Sequence, residues 1–171
     1  MSSSEPRNRY DVSWRGSFAM FALAVGLLAL PAISIAADEA AEQKPIYLET
    51  LTELVDQKKL DTALELLLRE PLVVSSQKAP EVFELSEALF VQLPPDERGR
   101  VQGEAIAVVG KIKTVARAIV AHAEAAEKAG DKEQGAKARS AVRLFGETLN
   151  KPEHLLVLQL TGKALVNIAE K

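Results

Sequence analysis

Cysteine is absent from the 171 residues. That excludes disulfides, lipoprotein acylation, c-type haem attachment and thiolate metal sites. Aromatics make up only 5%, and the sole tryptophan, Trp14, and both methionines, Met1 and Met20, lie near the N-terminus. Downstream of them no Met–His haem pair can form. An excess of positive charge is missing as well: 21 Lys+Arg face 24 Asp+Glu, a formal net charge of −3. Nucleic-acid binding draws on a basic stripe that displaces counterions from phosphates, so no nucleic-acid partner is expected.

Residues 18–37, "FAMFALAVGLLALPAISIAA", lack any charge, while "MSSSEPRNRYDVSWRG" carries Arg7, Arg9 and Arg15 against Glu5 and Asp11. A positive lead, an apolar run and then small residues have the layout of a secretory signal. Pro31 breaks the apolar helix before its end, and Ser34-Ile35-Ala36 sets small side chains just ahead of a cut after Ala36. Residues 1–36 are therefore expected to be a signal peptide and residues 37–171 a helical domain. The alternative is an uncleaved N-terminal anchor, since an apolar run of about 20 residues also spans a bilayer. Either way the domain is expected to be exported, periplasmic or extracellular, and to touch a membrane only through residues 18–37.

The remainder reads as successive helical segments with no convincing strand. "PIYLETLTELVDQKK" repeats apolar residues at Leu48, Leu51 and Val55, with Leu54 widening the stripe. "LDTALELLLREP" follows, with Asp61 predicted as N-cap and Pro71 as stop. "PLVVSSQKAP" is a loop, in which Leu72-Val73-Val74 would need a partner to pair as a strand. "PEVFELSEALFVQLPP" is predicted as one helix with Val82, Leu85, Leu89 and Leu93 on its core face.

The longest segment runs from Asp96 to Ala129, with Val101, Val108, Ile112, Val115, Ile119 and His122 down one side. Gly99, Gly103 and Gly110 interrupt it, each costing up to about 1 kcal/mol against alanine. Close packing is expected at Gly103 and a kink at Gly110. "AEKAGDKEQGAKARSAV" then holds the clearest boundary. Gly130 suits the left-handed position that ends a helix, and Asp131 with Gln134 has the spacing of a capping box. Asn150 with Glu153 repeats that spacing, with Pro152 in the predicted first turn of the last helix. The fifth segment sets Ala138, Ala141, Val142, Phe145 and Leu149 on one face, and the sixth sets Leu155, Leu158, Leu165 and Ile168. Short links force neighbouring helices to be antiparallel. The expected fold class is all-α: antiparallel helical hairpins in a short irregular solenoid or a compact bundle.

Within "LTELVDQKKLDTALELLLREP", Lys59-Leu60-Asp61-Thr62-Ala63 resembles the start of the second helix in a tetratricopeptide hairpin, where a small Ala packs on the first helix. Tyr47 falls where that family has an early aromatic. "AEKAGDKEQGAKA" is similar to the same turn, with Gly130-Asp131 at the bend and Gly135 or Ala136 as the small residue. This resemblance, to degenerate tetratricopeptide-like hairpins, implies a concave groove that binds peptide segments. It assigns no groove residue.

Chemistry-bearing residues do not cluster. His122 and His154 are the only histidines; neither sits in an H-E-x-x-H motif or follows a Glu by three residues, as a bundle di-iron site requires. His122-Ala123-Glu124 fits half of a zinc-deaminase signature whose Cys-x-x-Cys half is absent. His122 is expected half-buried at the core rim and His154 near solvent. The sharper reading makes them axial ligands of a b-type haem held in a bundle. Ser75, Ser76, Ser86 and Ser140 lie in no nucleophile-elbow turn. Glu81, Glu84 and Glu87 recur as a solvated helix face does. No catalytic residue, no metal site and no cofactor are expected.

Interaction has positive support. Phe83 and Phe90 lie two turns apart beside the Val82–Leu89 stripe, and a helix apolar on two sides is either deeply buried or offers one side to a partner. Burial is the simpler account; if that side is free, Phe83, Phe90 and Leu93 would anchor a partner, with "GDKEQGAKAR" supplying polar rim contacts. The expected function is that of an exported, non-catalytic protein-interaction or scaffold module of the cell envelope, its partner another protein. The alternative is a bundle that binds a small ligand or haem.

Overall fold

The computed structural model describes residues 44–171; the expected leader lies outside them. In chain order the elements are β1 (Ile46–Tyr47), α1 (Leu48–Asp56), α2 (Leu60–Leu67), β2 (Val74–Ser75), α3 (Glu81–Glu84), α4 (Glu87–Phe90), α5 (Pro95–Lys128), α6 (Lys132–Leu149) and α7 (Leu156–Ala169). The class is all-α and the arrangement is a bundle. α5 and α6 form one antiparallel hairpin and α6 and α7 the next, which leaves α7 parallel to α5. α1, α2 and α3 pack onto α5, and α2 also reaches α6.

The core follows the apolar spacing of α5. Val101, Val108, Ile112, Val115 and Ile119 are all buried, as a 3.6-residue period places them on one side. Leu48, Leu51, Leu64 and Leu67 cover that stripe from α1 and α2, and Phe145, Leu149 and Leu158 from α6 and α7. Each such side chain contributes about 1.5–3 kcal/mol on burial. Pro95 opens α5 in its first turn, where a missing N–H costs nothing. Gly130, at φ 88°, closes it, and the Asp131 N–H returns to the Ala126 carbonyl at 2.9 Å. Asp131 then caps α6, its carboxylate accepting from the Gln134 N–H at 3.0 Å.

Several expectations from the sequence are corrected. Only half of that capping box forms, because the Gln134 side chain leaves its own helix and donates to Asp61 on α2 at 2.7 Å. Asp61 is accordingly not the N-cap of α2; Lys59 holds that position. The segment from Pro80 to Pro95 is not one helix. Leu85 turns extended at φ −90°, ψ 125°, and Ser86, a good capping residue, starts a separate turn with its hydroxyl accepting from the Leu89 N–H. The break sends Val82 and Phe83 into the core and leaves Leu89 52% exposed.

Asn150 and Glu153 do not build a capping box. Asn150 ends α6, and α7 starts at Leu156, its first N–H held by a distant carboxylate, Glu87 of α4, at 2.9 Å. Val74 finds a strand partner, since β2 pairs in parallel with β1 through Ile46↔Val74 and Tyr47↔Ser75. α5 is continuous through Gly110. Gly103 makes no close approach, for a Cβ there meets nothing within 4 Å. Ile168 lies on the exposed side of α7. The two hairpins that resemble tetratricopeptide turns, α1–α2 and α5–α6, differ greatly in length: 9 and 8 residues against 34 and 18.

Candidate functional site

α7 is apolar on two sides, and its neighbours treat those sides differently. The inner side, with Leu158 and Gly162, is seated on α6. There Gly146 and Gly162 bring two backbones together. A Cβ on Gly146 would meet the Gly162 carbonyl at 2.7 Å, and one on Gly162 would collide with the Gly146 carbonyl. Only hydrogen fits at such a crossing. The outer side of α7 carries Leu156, Val157, Leu160 and Ile168, and Leu160 is 60% exposed.

α5 faces that outer side and adds Ile106, 64% exposed. Two clefts lie end to end along the pair of helices. One, about 360 Å³, is lined by Phe90 of α4, Ile106 of α5 and Leu156 and Leu160 of α7. The other, about 280 Å³, is lined by Ala116 and Val120 of α5 and Leu165 and Ile168 of α7. The two clefts are together called the α5–α7 groove; along α5 their lining runs from Arg98 to Glu124, about 39 Å at 1.5 Å per residue. Arg98, Lys113 and Arg117 of α5, with Glu87 and Glu124, supply its charged edge.

The predicted partner anchors do not converge there. Phe83 is a core residue, 7% exposed. Leu93 lines a separate shallow cleft beside Glu97 and Arg100. Phe90 alone reaches the groove. The residues that form most of it, Ile106, Leu156, Val157 and Leu160, were not singled out by periodicity. A signal for them exists: Leu155-Leu156-Val157-Leu158 is an unbroken apolar run, more than one helix face can bury.

The histidines lie far apart. Nε2 of His122 is 3.2 Å from the Gln134 side-chain nitrogen and 3.5 Å from the Asp61 carboxylate, at the start of α6. Nδ1 of His154 is 3.1 Å from the Leu149 carbonyl, at the end of α6, and the ring is half-buried rather than near solvent. From Gln134 to Leu149 the helix rises about 22 Å, so the two rings cannot grip one haem iron. Among the described residues no three His, Asp or Glu side chains gather as a metal site. No helix among them is long and apolar enough to cross a membrane.

The most perturbed carboxylate is structural. Glu49 accepts from the Ser76 hydroxyl at 2.8 Å, the Gln77 N–H at 3.0 Å and the Lys111 ammonium at 3.0 Å. Burial by itself would raise its pKa, but these donors outweigh burial and hold it at about 2. Ser76 is 1% exposed and its oxygen also accepts from the Ala79 N–H, so it is a tie between the β2 loop and α1 with no approach for a substrate. Ser86 serves as a helix cap. No protein-family model matches this chain, and no curated protein or solved structure shows a significant similarity to it.

Proposed function

We propose that this protein is a non-catalytic interaction module that docks a segment of another protein in the groove between α5 and α7. The carrying observation is the second apolar face of α7. Leu156 and Leu160 stand exposed beside Ile106 in one cleft and Ile168 in the next, and exposed apolar surface gathered on a folded domain marks interaction sites. The groove is shaped by helices rather than loops, so it exists before its occupant arrives. The resemblance to tetratricopeptide hairpins points to the same class of activity, peptide-segment binding. The charge-free stretch at residues 18–37 with its Ser-x-Ala end supports export to the envelope as the place where it acts.

A photo-crosslinking amino acid in place of Leu160, in the full chain in its native host, tests the docking reading. A discrete protein adduct is expected from Leu160 and none from the exposed Glu133 on α6. Addition of Val157→Asp is expected to abolish it. Equal labelling from both positions would defeat the proposal. N-terminal sequencing of the same material checks export, with Ala37 as the expected first residue.

A further inference from the structure

Cations outnumber carboxylates along the groove, three to two. Arg98, Lys113 and Arg117 line it, and none of them has an ion-pair partner among the described residues, whereas Arg100, Arg139 and Arg143 each hold a glutamate at 2.7 Å. Arg98 goes further. Its Nε is withdrawn from water without any acceptor, an arrangement that buried N–H groups avoid because desolvation is then uncompensated. The groove's two carboxylates, Glu87 and Glu124, leave the three cations one in excess, and Glu87 also accepts from the Leu156 N–H.

The groove also limits the conformation of what can fill it. Its walls are helices whose backbone groups are satisfied internally, so an extended segment would find no main-chain partners. A helix brings its own hydrogen bonds and can lay an apolar stripe into the two clefts. From these two observations, and resting on the docking reading above, we propose that the occupant is an amphipathic helix of another protein with acidic residues along one flank. Its apolar positions would lie over Ile106, Leu160 and Ile168. Lys113 and Arg117 are one turn apart on α5, and Arg98 stands about 22 Å from Lys113 along the axis. The matching flank has two acidic residues one turn apart and a third roughly 15 residues away.

The probe is a displayed library of 24-residue helices with a fixed leucine–alanine face and a flank randomised among Glu, Lys and Gln, panned on the full chain. Glutamate is expected to be enriched over lysine by tenfold or more. Arg98→Glu with Arg117→Glu is expected to reverse that preference, and Leu160→Asp to remove retention while the circular dichroism spectrum stays helical. Retention that Leu160→Asp abolishes but that favours no charge keeps the docking reading and overturns the acidic helix. No retention of any member, or retention indifferent to Leu160→Asp, defeats both. Two further outcomes also overturn the acidic helix. A sedimentation-equilibrium dimer that Leu160→Asp dissolves assigns the groove to a second copy of the chain. Binding to vesicles of one part phosphatidylglycerol in three of phosphatidylcholine, lost in the double charge variant, assigns it to a lipid surface.

Discussion

The two sides of α7 follow opposite rules. Towards α6 the helices touch backbone to backbone at Gly146 and Gly162, and the flanking Phe145, Leu149 and Leu158 are wholly buried. Towards α5 the same helix leaves Leu156, Leu160 and Ile168 in water beside Ile106. One seam is closed by backbone contact; along the other α5 and α7 also touch, but two clefts stay open. α5 shows the same division two residues apart. Lys111 is tied to Glu49, while Lys113 is exposed at the groove and unpaired among the described residues.

The strongest way to break the comparison is to force the closed seam apart. Gly162→Leu places a side chain where the Gly146 carbonyl lies, and overpacking of that kind is expected to cost about 3 kcal/mol or more. Urea denaturation reads it directly; an unchanged midpoint means the seam is not what positions α7. Next in size is the clamp on the far side of α5. Glu49→Ala strands the buried Ser76 hydroxyl and removes the partner of Lys111, at a cost of about 2 kcal/mol. Its acid behaviour has a definite sign. Because folding depresses the Glu49 pKa from 4.5 to about 2, its stabilisation is complete above pH 4.5 and is lost as pH falls towards 2. Acid unfolding of Glu49→Ala is therefore expected to be flatter than that of the native chain across that window, and parallel curves would contradict the assignment.

Smaller effects sharpen the contrast. Glu87→Ala removes the cap on the first N–H of α7, worth about 1 kcal/mol, and hydrogen exchange at Leu156 should quicken while the rest of α7 holds. Gly103→Ala should raise stability by roughly 0.5–1 kcal/mol, since the added methyl meets nothing within 4 Å; a lowered melting temperature would instead show close packing there. Leu160→Gln, on the open side, is expected to shift stability by about 0.5 kcal/mol or less. A loss as large as that of Gly162→Leu would erase the distinction between seam and groove.

Much of this was legible from local rules. Gly130 and Asp131 announce the α5–α6 turn because a left-handed residue and a side-chain acceptor are needed within two positions. The stripe from Val101 to Ile119 announces the buried side of α5 because a long helix cannot hide its period. Illegible were the groups satisfied from far away. Gln134 reads as a local cap but bonds Asp61 on α2. The start of α7 reads as Asn150–Glu153 but is capped by Glu87, distant in sequence. In both, a local pairing and a remote one compete for the same polar atom, and proximity in the folded chain decides between them.

The groove divides in the same way. An all-helical chain of short links follows from spacing, caps and turn residues, which act over one or two turns and need no partner. The surplus of apolar residues in the last helix is equally a property of the sequence, visible in Leu155-Leu156-Val157-Leu158. Which of those residues are buried is not, because burial depends on how α7 is rotated about its axis. The glycine crossing with α6 sets that rotation, turning Leu158 inward and Leu160 outward. Phe83 was spared exposure by the break at Leu85, and Ile106 was left exposed by packing that placed its neighbours Ala105 and Val108 inside. Periodicity defines the faces of each helix; only tertiary packing selects which face meets water.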